Sequence, residues 1–182
     1  MRWPFPTRRV VGAVAAVVTL LVALVLGGVG CGGSPSGEGF AIYLPATDIP
    51  PSRLAALSHI EIADAPLVAS DDVVAYAAGS HEIELTPAAY ERIAALEVPV
   101  SGLSFAVCVD RAPVYAGAFW TEISSASFDG VVIMKAFSPE STPESSVIRL
   151  ELGYPGRDFF TGADPRPDPV VLDALRQAGK LR

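Results

Sequence analysis

The chain has 182 residues, 51% of them hydrophobic, and a formal charge of −7, which predicts one folded domain with appendages. The acidic balance disfavours nucleic acid and anionic lipid headgroups as partners. With two histidines and two well-separated cysteines, Cys31 and Cys108, the usual zinc spacings are excluded.

The chain opens with "MRWPFPTRR", and no further charge occurs until Glu38. A positive start, an apolar run over Val10 to Leu26 and small residues after it are the parts of a secretory signal. The run ends in "GVGC", which resembles the lipobox of bacterial lipoproteins, although Gly28 stands where that pattern has leucine and the nearest leucine is Leu26. The resemblance implies that Cys31 is acylated on its thiol and becomes the first residue of the mature chain. Two alternatives stay open, because the run is near the roughly 20 residues that cross a bilayer: an uncleaved single anchor, and plain secretion with Cys31 as a thiol. In each case Arg8 and Arg9 hold the amino end inside and the domain is exported. The expected organisation is therefore a lipoprotein-type signal over 1–30, a Gly/Ser-rich flexible tether over 31–39, and one α+β domain over 40–182. Loss of Arg2, Arg8 and Arg9 with the signal leaves ten basic residues against 20 acidic, a formal charge of −10.

Within the domain, "FAIYL" alternates Phe40, Ile42 and Leu44 as a strand does. Pro50 and Pro51 open a short helical turn over 52–57, and "HIEIAD" is extended. Ser70, with Asp71 and Asp72 behind it, predicts the capped start of a short helix closed by Gly79. "HEIEL" predicts a half-buried strand with Ile83 and Leu85 inward and Glu82 and Glu84 outward. Thr86 followed by Pro87 starts a helix that puts Ala89, Ile93 and Leu96 on one face, with Pro99 beyond it as a stop. A hairpin follows, with strands over 103–109 and 114–119; its first strand is apolar on both faces and so belongs inside a sheet. "FDGVVIMKAF" and "SVIRLELGY" are two further strands separated by a polar loop, and Asp168-Pro169 opens a last helix that Gly179 stops. The fold class expected is α+β, an antiparallel or mixed sheet with two or three helices on one face.

The segments "PLVASDDVVAY", "HEIELTPAAYERIAAL", "VPVSGLSFAVCVD" and "APVYAGAFWTEISSASFDGVVI", in that order, resemble a group of uncharacterised bacterial lipoproteins. They are distantly similar to the head part of the first periplasmic domain of SecD, a component of protein export. The similarity spans residues 66–134. It implies an α+β fold with helices on one face of an antiparallel sheet, and a surface that binds other polypeptides. It does not imply the export activity, since this chain carries a single hydrophobic segment. One departure concerns the hairpin turn, where Asp110-Arg111 replaces Asp-Gly. Arginine adopts positive φ less readily than glycine, so a longer loop through Pro113 is expected.

Candidate chemistry is sparse. Cys108 with His81 would make a nucleophile and base, but Cys108 within "FAVCVD" reads as a small core hydrophobe. Ser124 and Ser125 in "ISSAS" lack the glycines of a nucleophile elbow. Asp164 and Asp168 share a loop that would hold calcium weakly. No metal or cofactor is expected. Tyr115, Phe119 and Trp120 cluster beside small and hydroxyl residues, a composition suited to an aromatic recognition surface; with Trp120 exposed at a strand edge, an extended peptide would add as a strand. The function expected is a membrane-anchored, non-catalytic binding domain whose partner is an extended polypeptide. The alternatives are an envelope hydrolase using Cys108 or Ser125, and a structural envelope protein.

Overall fold

The computed structural model describes residues 38–56, 59–135 and 146–182. The expected signal, Cys31 and most of the tether lie outside the described residues. Among the described residues no helix is long and apolar enough to cross a membrane.

Alternating apolar side chains produce two sheets. Strands β1 (Phe40–Tyr43), β4 (Leu103–Val109), β5 (Ala112–Thr121), β6 (Phe128–Lys135) and β8 (Glu151–Tyr154) form one sheet in the order β1-β4-β5-β6-β8. Strands β2 (Val73–Ala77), β3 (Glu82–Leu85) and β7 (Val147–Arg149) form a second, antiparallel sheet in the order β2-β3-β7. In the larger sheet β5 and β6 run parallel, and the other neighbours antiparallel. The α+β class is as expected, and the sheet is of the mixed kind. The parallel step is made by only the six residues 122–127 between the strands, where such a return usually takes a dozen or more. The Tyr154 hydroxyl holds this short return by donating to the carbonyls of Glu122 and Ser124 at 3.2 and 3.1 Å.

The two faces of the larger sheet are both covered, for different reasons. Phe40 and Ile42 of β1, Phe105 and Val107 of β4, Phe119 of β5 and Val131 and Ile133 of β6 point to one side. There they meet the inward residues of the small sheet, Ala89 and Ile93 of helix α1 (Pro87–Ala94), and Val171 and Leu175 of helix α2 (Pro169–Gln177). This is the main core, and it carries both α-helices on one face as expected. Removing this apolar area from water is the main stabilising term. The Phe105 ring lies so close to β5 that a Cβ on Gly117 would come within 2.5 Å of it, so a glycine is needed there. On the opposite face Ala41, Tyr43, Ala106 and Cys108 form one small cluster, and Ala118, Trp120, Phe128 and Val132 another, with Leu54 of the 3-10 turn Pro51–Ala56 packed against it.

Both helices start where the sequence expects. The Thr86 hydroxyl accepts from the Ala89 N–H and the Asp168 carboxylate from the Val170 N–H, each with proline in the first turn. Gly179 follows α2 with φ +69°. The last residues then return to the small sheet, where Tyr76 exchanges main-chain bonds with Lys180 and Arg182.

Three local expectations are corrected. The helix expected from Ser70 is a single 3-10 turn, Ser70–Asp72, because the β-formers Val73, Val74 and Tyr76 continue as β2. The strand expected through "SVIRLELGY" breaks at Leu150: Ile148 pairs with β3 in one sheet, Leu152 with β6 in the other, and the Leu150 N–H donates to the carbonyl of His81. The hairpin turn is two residues long, with Asp110 at φ 51° and Arg111 at φ 67°. Its positive-φ cost, about 1 kcal/mol or more per residue, is offset by tertiary contacts. The Asp110 carboxylate accepts the Gly39 N–H at 2.8 Å, while Arg111 stacks on the Tyr43 ring and donates to the Asp64 carbonyl.

Candidate functional site

Strand alternation decides the fate of the aromatic surface expected from Tyr115, Phe119 and Trp120. Tyr115 and Phe119 lie on one face of β5 and Trp120 on the other, so the three cannot share a surface. Phe119 is 0% exposed and tilts against Phe105, while Trp120 is 3% exposed and stacks on Phe128 at 5.2 Å. Tyr115 is partly buried, with its hydroxyl fully enclosed and its pKa raised by that burial. These three residues are packing residues, and the condition for strand addition beside Trp120 is not met.

The candidate nucleophiles are likewise separated from any base. Cys108 is fully buried on the face of the larger sheet away from the main core, and burial pushes its thiol up to about 11. His81 is on the other side: its Nδ1 is hydrogen-bonded to the hydroxyl of Tyr76, a main-core residue, at 2.9 Å. Burial lowers the His81 pKa, and the Arg166 guanidinium lowers it further, so the ring is neutral. The Ser124 hydroxyl donates to the Val100 carbonyl, and Ser125 is exposed in the same return. Glu82 and Glu84 form ion pairs with Arg149 and Arg182 on the solvated side of the small sheet. Asp164 is held in a two-pronged pair by Arg166, and Asp168 caps α2. Among the described residues no group of three or more His, Cys, Asp or Glu is placed to hold a metal ion.

One concave feature among the described residues lies along β8, the end strand of the larger sheet. It is an open cleft of about 270 Å³, lined by the chain from Arg149 to Gly153 and by Gly156, Arg157 and Arg166. Both ends are bounded. At one end the Arg166 guanidinium donates to the Leu150 carbonyl at 2.8 Å, and its side chain is only 16% exposed because Asp164 holds it in place. At the other the chain turns after Tyr154 into the 3-10 turn Arg157–Phe159. Gly153, at φ +72°, lies against that turn so closely that a Cβ would come within 2.6 Å of the Gly156 carbonyl oxygen.

Three arginines line the cleft of this acidic domain, together with Glu151. Arg149 is engaged by Glu82 and Arg166 by Asp164. Arg157 has no carboxylate partner among the described residues. It stacks on the Phe160 ring at 5.1 Å and donates from Nη1 to the Phe160 carbonyl, which fixes its position and leaves Nε and Nη2 as donors. Phe159, in the same turn, is 46% exposed. The sequence pattern places Arg149 within the strand expected through "SVIRLELGY" and does not single out Arg157 or Arg166. The available signal was three arginines in the short stretch 149–166 of an otherwise acidic chain.

No family model, curated protein or solved structure matches this chain.

Proposed function

We propose that the protein is an exported domain, tethered to the membrane by a lipid on Cys31, that acts by binding and takes an extended polypeptide along the β8 edge. One observation carries the reading: the cleft runs beside the backbone of an end strand and is lined by Arg149, Arg157 and Arg166. Main-chain pairing at such an edge supplies affinity, and the flanking side chains supply selectivity. The buried, high-pKa Cys108 and the exposed, isolated Ser125 favour binding over hydrolysis. The resemblance to the SecD head points to a polypeptide partner too, at a different surface from the one the aromatic residues suggested.

The test is hydrogen exchange on the full chain in membrane nanodiscs, with peptides selected from a displayed random library. Protection is expected at Glu151 to Gly153 and at Arg157 to Phe159. Selected peptides that protect other segments and leave these amides unchanged would overturn the β8 assignment. The anchor is tested by intact mass before and after alkaline deacylation of protein from its native membrane. A mass for residues 31–182 plus acyl chains is expected, and a full-chain mass would replace the lipid with an uncleaved anchor.

A further inference from the structure

We infer that the β8 cleft recognises the carboxyl terminus of its polypeptide partner, with Arg157 as the residue that takes the terminal carboxylate. The inference rests on the β8-edge reading above and adds the chemistry and the polarity of the ligand. Three features lead to it.

First, the open cleft is bordered at two places by the chain itself. An incoming strand can lie beside Leu150 to Gly153, but it then meets either the Arg166 side chain on the Leu150 carbonyl or the turn packed on Gly153. A segment that cannot continue past a strand of only four residues fits there best as a chain end. The cleft volume of about 270 Å³ is also small beside the roughly 300–1,000 Å³ of ordinary ligand pockets.

Second, one of the three arginines lining the cleft, Arg157, has no carboxylate partner among the described residues. Arg157 at the turn end has unengaged donors on a side chain already fixed by stacking and by its bond to the Phe160 carbonyl. A guanidinium held in that way receives a carboxylate through two parallel bonds with little further ordering. Third, Phe159, two residues along the same turn, is 46% exposed, and an aromatic there would serve the last side chain of the ligand. Glu151 also lines the cleft and opposes the ligand by like-charge repulsion, which gives the proposal a variant that should improve binding.

The test uses the full chain in nanodiscs and pools of acetylated pentapeptides randomised at their last three positions. One pool has a free carboxyl terminus, a second is amidated, and a third is amidated with Asp or Glu in the last position. The free-acid pool should be retained at least about tenfold better than the plain amide pool, as expected for a charge-assisted pair. Arg157→Gln should remove that advantage, and Glu151→Gln should raise retention of the free-acid pool a few-fold. Equal retention of acid and plain amide pools, both lost in a Phe159→Ala variant, would overturn the carboxylate assignment while leaving strand addition at β8 standing. Equal retention of the free-acid and Asp/Glu amide pools would overturn the terminal assignment in favour of an acidic side chain. Retention of no pool above that of Arg157→Gln and Phe159→Ala would overturn both readings.

Discussion

The two edges of the five-stranded sheet are finished in different ways. At β1 the chain seals its own edge: Ile42 exchanges main-chain bonds of 2.8 to 3.1 Å with Leu67 and Val68, and farther along Ala63 donates to the Leu44 carbonyl and Ala46 to that of Glu61. At β8 a turn, an arginine side chain and an open cleft stand where a strand would lie. Exposed edges invite unwanted pairing, and natural proteins limit that by keeping them short and charged. β8 is four residues long, begins with Glu151 and has three arginines along its cleft, so it is guarded without being filled. The comparison teaches where this fold spends its backbone hydrogen bonds: an edge that serves packing is closed by the chain itself, and an edge left accessible is the place to look for a partner.

The largest expected effect comes from breaking the sealed edge. Ile42 is fully buried in the main core and carries the bonds to Leu67 and Val68. Ile42→Ala should lower unfolding stability by about 2–5 kcal/mol, read as an earlier urea midpoint with an unchanged slope. A loss below about 1 kcal/mol would mean that the Ile42 side chain beneath the sealed edge is not tightly packed in the main core.

Gly153→Ala should come next. The new Cβ must occupy a left-handed φ and meet the Gly156 carbonyl oxygen, a cost of about 1–3 kcal/mol. Hydrogen exchange should rise first in Arg157 to Phe160 and leave β1 and β4 protected. Uniform loosening would deny that the turn is a separable cap on the open edge. Arg157→Gln should change stability by less than about 0.5 kcal/mol, since the side chain is an exposed one outside any ion pair among the described residues. Its effect belongs to binding alone, which is the sharpest contrast with Ile42.

How much of this was legible in the sequence follows the range of the forces involved. The strand at 82–85, the hairpin strands and both helix starts depend on alternation and capping within a few residues, and "HEIEL", "TP" and "DP" carry those signals openly. The break at Leu150 does not appear in the alternation of "SVIRLELGY", because it is set by a distant carbonyl, that of His81, and by two sheets competing for one run. The Asp110-Arg111 turn was misread for the same reason: Gly39, Tyr43 and Asp64 bear its strain from far along the chain. Tyr115, Phe119 and Trp120 looked like one surface because composition ignores the alternation that puts Trp120 on the opposite face. The arginines of the cleft are brought together by the turn after β8 and by the Asp164 pair, neither of which has a local pattern to announce it.

The smallest effect concerns His81, which joins the small sheet to the start of β8 through its carbonyl on the Leu150 N–H. Burial, reinforced by Arg166 and opposed by Asp164, lowers its pKa in the folded state, and the ring is hydrogen-bonded to the Tyr76 hydroxyl. Above the unfolded value, about 6.5, both states are neutral and the group adds no pH dependence. As the pH falls below it the unfolded chain takes up the proton first, so stability declines until the folded pKa is passed. The carboxylates of Asp164, Glu82 and Asp129 are shifted downward, Asp164 and Glu82 chiefly by bonds from Arg166 and Arg149 and Asp129 by bonds from Thr161. Their contribution persists through this window and is lost at lower pH. Urea unfolding at pH 8, 7, 6 and 5 should therefore be level at first and then fall, and His81→Asn, which tolerates the left-handed φ of 55°, should flatten that fall. An unchanged pH profile in the variant would place the titration on a group other than His81.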